Sequence, residues 1–214
     1  MFGVTTQGVT AAREWLEDHG YEVLVFHATG TGGQSMEALV AGGFLAGVLD
    51  MTTTELADEL VGGVLSAGPD RLEMAGSLGI PQVVSLGALD MVNFGPRETV
   101  PERFQERNLY VHNPTITLMR TTPAECAELG RLIGAKLNAA TGPVALFIPR
   151  GGVSAIATNG GVFHDPEADA ALFDALLATV GDEIEVHDLT HDINDTRFAE
   201  AMASRLVELI SVPT

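Results

Sequence analysis

The sequence predicts a doubly wound α/β domain: a mostly parallel, Rossmann-like sheet with helices on both faces. Three observations carry the prediction. Short runs of Val, Ile, Leu and Ala alternate with helical patterns along the chain, which is the spacing of βαβ units. The runs are apolar on successive residues, as strands covered on both faces must be. The 214 residues can bury a sizeable core, yet fall short of the roughly 250 that a closed eight-fold barrel uses.

The elements follow in order. A helix over about 10–19 stops at Gly20, and residues 22–28 (EVLVFHA) read as a strand. A helix over about 35–40 stops at Gly42-Gly43, before a strand over 44–50 (FLAGVLD). Helical patterns cover 54–65 and 70–78, and a strand over 82–85 enters after Pro81. Residues 87–122 are irregular and too long for an ordinary connection, which predicts a functional loop or an arm packed on a partner. Thr122 caps a helix over 123–139 with Pro123 at its first position. A strand over 144–149 (VALFIP), a helix over 166–180 capped by Asp165, a strand over 184–188 and a helix over 195–210 complete the chain. Residues 1–214 read as one domain. Its start, Met1-Phe2-Gly3-Val4, looks like the tail of a strand, so a C-terminal portion of something longer, or a short gene encoding only that portion, is expected.

The charge excludes whole classes of partner. Eleven Lys and Arg stand against 29 Asp and Glu, a net −18. Nucleic-acid binding needs basic residues to displace condensed counterions, and anionic membranes attract the same residues. Neither partner is expected. Lys136 is the sole lysine, which removes Schiff-base chemistry and a P-loop lysine. Cys126 is the sole cysteine and reads as a helix residue. With no charged-then-apolar leader and no run of 18 apolar residues, a cytoplasmic protein is expected.

Ligands of open parallel sheets bind at the carboxyl ends of the strands. Here those ends carry Thr5 and Thr6, then Thr29-Gly30-Thr31-Gly32-Gly33, then Thr52-Thr53-Thr54, and later Arg150-Gly151-Gly152. Thr- and Gly-rich turns leading into helices expose N–H groups and hydroxyls to an anion. Used only as turns and caps, the same residues would bind nothing. The spacing is neither a dinucleotide fingerprint nor a Walker loop. Asp50, Asp90, His27 and His112 are the acid/base candidates, and Arg150 is the candidate anion clamp. No metal-ligand spacing is present, so no metal site is predicted.

The stretches FGVTTQGVTAAREWLEDHGYEVLVFHATGTGGQSMEALVAGG, GVLDMTTTELADELVGGVLSAGPDRLEMAG, IPQVVSLGALDMVNFGP, HNPTITLMRTT, GGVFHDPEADAALFDAL and HDINDTRFAEAM resemble the C-terminal half of the Tm-one-like ATP-binding family. That family joins uncharacterised microbial proteins to a plant tobamovirus-resistance protein. The resemblance implies an α/β fold, a preceding α/β half and a nucleotide ligand, ATP with magnesium being the pair to test. It supplies no catalytic residues, and the plant antiviral activity does not transfer.

Two functions remain open from the residues. One is a domain binding a small anionic molecule, a nucleotide or a carboxylate metabolite, as half of an enzyme. The other is an interaction or regulatory module that self-associates, a homo-oligomer built through the 87–122 arm with Phe94, Phe104 and Tyr110 as anchors.

Overall fold

The computed structural model describes residues 1–211. Four strands form a parallel sheet: β1 (Val48–Thr52), β2 (Gln82–Gly87), β6 (Val144–Pro149) and β7 (Glu185–Leu189), in spatial order β1-β2-β6-β7. Successive side chains of a strand point to opposite faces, and the core divides accordingly. Val84 and Leu86 of β2 and Leu146 and Ile148 of β6 pack with α5 (Pro123–Asn138) and α6 (Pro166–Leu177). Val83, Ala145 and Phe147 pack with α1 (Thr6–Asp18) and α7 (Thr196–Ser211). Both faces are covered, as the doubly wound reading expects. Full burial of each Leu, Ile or Phe contributes about 1.5–3 kcal/mol. The helices α2 (Thr31–Ala41) and α4 (Met74–Ser77) pack beside β1, and α3 (Thr54–Val61) follows it directly.

Local signals place α5 and α6. The Thr122 hydroxyl accepts the Glu125 N–H at 3.2 Å, and the Glu125 carboxylate accepts the Thr122 N–H at 2.8 Å, a capping box with Pro123 as first helical residue. Asp165 accepts the Ala168 N–H at 3.1 Å at the start of α6. Gly130 lets the two helices touch, since a Cβ there would lie 2.4 Å from the Leu172 carbonyl oxygen.

Several expectations need correction. Residues 87–122 are not an irregular arm. They hold an antiparallel sheet of order β3-β5-β4, formed by β3 (Met91–Phe94), β4 (Leu109–Asn113) and β5 (Ile116–Arg120). Its strands are short and its turns rich in Pro and Asn, so no run was long enough to show a period. Phe94 and Phe104 are buried in the α3–α5 core with their rings 5.6 Å apart. Tyr110 is half-buried against Phe163. None is a free anchor.

The helix expected over 70–78 shrinks to α4, because residues 69–72 form turns around the buried Arg71. Residues 22–28 are not a strand. Burial alternates along residues 21–25 as in an extended chain, but a strand also needs a neighbour to bond, and β1 pairs only with β2. The strand expected over 44–50 begins at Val48 and runs to Thr52. At the start of the chain Met1 bonds to Phe26 and Ala28, Phe2 is extended, and a 3-10 turn, Gly3–Thr5, follows.

Candidate functional site at the carboxyl edge of the sheet

The carboxyl edge carries two clusters of buried charge, each beside a non-glycine residue with positive φ. Leu72 (φ 74°) adjoins Arg71, and Ala88 (φ 58°) lies two residues before Asp90. Backbone held in that region is costly for a residue with a Cβ.

The first cluster closes the Thr/Gly turn. Glu55, in the first turn of α3, accepts the N–H groups of Gly30 at 2.7 Å and Gly33 at 3.1 Å on one carboxylate oxygen. Its other oxygen accepts Nε of Arg71 at 2.7 Å. The two terminal nitrogens of Arg71 fork onto Asp50, one of them at 2.8 Å. Glu37 lies 3.5 Å from the same guanidinium and accepts the Leu72 and Met74 N–H groups at 2.7 and 3.0 Å. Burial alone would lower the Arg71 pKa, but Asp50 and Glu55 more than offset it and hold the guanidinium charged. Burial also raises the Glu37 pKa. The anion cradled by this turn is therefore the protein's own carboxylate.

Around it the Thr-rich segment is turned inward. Thr52, Thr53 and Thr54 are all buried. Thr52 and Thr5 share a hydroxyl–hydroxyl bond of 2.8 Å, and Thr53 donates to the Ser85 carbonyl at 3.1 Å. Thr6, Thr29 and Thr31 are exposed. Gly32 is required by contact, since a Cβ there would stand 1.7 Å from the His27 carbonyl oxygen. His27 itself is exposed within residues 22–28.

The second cluster lies beyond β2. Asp90 is buried and accepts the Ser154 hydroxyl at 2.7 Å, while its Oδ1 has no partner. Burial pushes its pKa up to about 6, against the pull of Arg120. Arg120 of β5 pairs with Asp169 of α6 at 2.5 Å. Asp58 of α3 is likewise pushed up to about 6 by burial, although Asn93 donates to it through both backbone N–H (3.0 Å) and Nδ2 (2.6 Å). His112 is exposed near the end of β4.

Among the described residues, the edge carries a small open recess. A cleft of about 210 Å³ at the end of β6 is lined by Arg150, Gly151, Gly152, His164, Asp169 and Phe173 among others. Arg150 forks onto Asp188 of β7 at 2.7 and 2.8 Å, and its guanidinium lies 4.8 Å over the Phe173 ring. The N–H groups of Gly151 and Gly152 are already given to the carbonyls of His191 and Pro149. A second cavity, about 630 Å³ and largely apolar, runs between residues 20–28 and 44–52 and reaches Asp50, Glu55 and Arg71.

The structure thus gathers Asp50 with the Gly30–Gly33 turn, Asp90 with Ser154, and Arg150 with Gly151 and Gly152. No hydrogen bond links His27, Asp50, Asp90 and His112 to one another. Sequence reasoning missed Arg71, Arg120 and His164. Arg71 left a signal: it is the only Lys or Arg between Arg13 and Arg97 in a carboxylate-rich stretch, and a lone cation there has many partners to gather.

The cleft at the end of β6 is tight for a nucleoside triphosphate. The 210 Å³ cleft is smaller than the roughly 300–1,000 Å³ of usual ligand pockets. The larger cavity lies within that range and carries Asp50 and Glu55 paired with Arg71. Among the described residues, no group of three or more His, Cys, Asp or Glu is placed to hold a metal ion, and no helix is long and apolar enough to cross a membrane.

A parallel four-stranded sheet covered by helices on both faces defines a Rossmann-like α/β domain. The chain belongs to the UPF0261 family: residues 1–210 match "Uncharacterised protein family (UPF0261) C-terminal domain". It is 60% identical to a UPF0261 protein of Clostridium tetani over 98% of this chain and 52% of that protein. It is 57% identical to the UPF0261 protein RA0729 of Rhizobium meliloti over 94% of this chain and 51% of that one. The ToMV resistance protein Tm-1(GCR237) of Solanum lycopersicum is 47% identical over 98% of this chain and 28% of the tomato protein. The chain therefore spans about half the length of the microbial relatives it matches.

Proposed function

We propose that the domain binds a small anionic metabolite, of carboxylate class, in the cleft at the end of β6. The observation that supports this is Arg150. Its guanidinium lines the cleft, and its partner Asp188 is 41% exposed, so a ligand carboxylate can take over the fork at little cost. His164 and the start of α6 line the same recess, and a helix N-terminus favours negative charge. The size of the cleft favours a carboxylate over a nucleotide. Asp169, in the same wall, has a pKa raised chiefly by burial.

Thermal-shift titration with small carboxylates, beside ATP, ADP and AMP with and without magnesium, tests this reading. A ligand that binds only the folded state raises the melting temperature saturably. The expected result is a rise with a carboxylate that Arg150→Ala abolishes. A rise that survives Arg150→Ala, or one seen only with nucleotides, rejects the reading. Gly32→Val is no test of binding, because the His27 carbonyl leaves no room for any Cβ.

A second reading, self-association, is supported by β4. It is an outer strand of the antiparallel sheet, and its Val111, His112 and Asn113 are exposed, an open edge that a second copy can pair with. Light scattering should then report a dimer, and Val111→Lys a folded monomer. A wild-type monomer at every concentration rejects it.

A further inference from the structure

The larger cavity has the shape and chemistry of a place for a strand. On one side stands β1, whose outer edge is unpaired. On the other stand residues 22–28, strand-forming in composition yet paired along only one short stretch. That stretch is informative. The Met1 main-chain nitrogen donates to the Phe26 carbonyl at 2.7 Å, and the Ala28 N–H donates to the Met1 carbonyl at 2.8 Å. This pair of bonds, flanking His27, is the unit of a parallel ladder. Met1 also lines the cavity. Polypeptide on its amino side, continuing in register, would run between residues 22–28 and β1.

The walls fit such an occupant. Val23, Val25, Phe26, Leu45 and Leu49 line the cavity, with Phe44 at its rim. Leu24 and Phe44 are 52% and 74% exposed, whereas strands of parallel sheets are normally covered on both faces. The Val48 N–H donates toward β2, to the Pro81 carbonyl, so by alternation the Leu49 N–H faces the cavity. By the same alternation from Ala28, the N–H groups of Leu24 and Phe26 face it from the other side.

We propose that this slot receives one extended apolar β-strand, parallel to β1 and continuous through Met1, supplied by the polypeptide on the amino side of this domain in the longer relatives. The matched domain is the family's C-terminal one and covers about half of those relatives, so they carry the polypeptide in question. The completed sheet would have six parallel strands, with residues 22–28 as its new edge. Main-chain bonds supply the affinity of such strand addition, and alternate side chains its specificity.

Hydrogen exchange tests the proposal. The ten residues preceding the matched region in the Clostridium tetani protein are fused ahead of Met1, and in a second arm are added to the chain as a free peptide. The expected result is at least tenfold slower exchange at Leu24, Phe26 and Leu49 in the fusion, a higher melting temperature, and the same pattern, saturably, with the peptide. A fusion with proline at alternate positions, which cannot donate to a ladder, should give none of this. The proposal is overturned by unchanged exchange in both arms, by equal protection from the proline version, or by these three amides being already protected without either addition.

Discussion

Arg71 and Arg150 make the same contact and do different things. Each lies at the carboxyl edge of the parallel sheet and forks two nitrogens onto an aspartate, Asp50 for one and Asp188 for the other. The Arg71 side chain is 3% exposed and also holds Glu55, while that of Arg150 is 33% exposed and faces a cleft. In low dielectric the first pair is strong, and removing one member strands the others. In water the second is weak and exchangeable. A guanidinium–carboxylate fork is thus a fixed structural bolt or an exchangeable contact according to its solvent.

The largest expected effect breaks the buried half of that comparison. Arg71→Met leaves Asp50 and Glu55 buried without their cation and should cost about 3–5 kcal/mol, measured by urea denaturation. A cost near that of a surface pair would show that the cluster is not the bolt described. Arg71→Lys should recover only part, since one ammonium cannot reproduce the fork and the Nε bond together.

Asp90 extends the comparison to a carboxylate buried with one oxygen unpartnered. Its folded pKa of about 6 lies above its ordinary value. Below about pH 4 both folded and unfolded chains hold the proton. Between about 4 and 6 only the folded chain holds it, so stability falls as pH rises and levels off above about 6, a change on the order of 3 kcal/mol at most. Urea midpoints against pH should show this slope reduced in Asp90→Asn. Equal slopes in the two proteins would place the burial cost elsewhere, Asp58 being the next candidate with the same direction.

Gly33→Ala probes how tightly the Thr/Gly turn is shut. A Cβ would approach the Glu55 carboxylate to 2.3 Å, and Glu55 is pinned by Arg71, so overpacking of about 1–3 kcal/mol is expected. A neutral result in thermal melts would mean that Glu55 can leave the turn and that an external anion can enter it. The smallest effect on stability belongs to Arg150→Ala, within about 1 kcal/mol as for other exposed pairs, with the carboxylate-induced melting shift lost. A larger destabilisation would make Arg150 a second bolt.

Much of the fold is legible in the residues. Thr122-Pro123 with Glu125, and Asp165-Pro166, mark helix starts through bonds made within one turn, and the strand over 144–149 is bounded as its apolar run suggests. The antiparallel sheet of residues 87–122 is not legible, because its four- and five-residue strands pair across distance and Phe94 and Phe104 look the same whether they meet a partner or their own core. The site is legible in kind only. The Gly30–Gly33 turn does cradle an anion, but nothing local says that Glu55 supplies it.

The sequence by itself determined the alternation of strands and helices, the helix caps and the net negative charge, because periodicity, capping and net charge act locally or sum over the chain. Tertiary structure alone decided which carboxylates meet Arg71, which Thr side chains turn inward, and that residues 22–28 face β1 across an open slot. Burial and pairing depend on what packs from elsewhere in the chain: the same aspartate is a surface charge or a buried one according to its neighbours, and a strand-forming run becomes a strand only when another edge answers its hydrogen bonds.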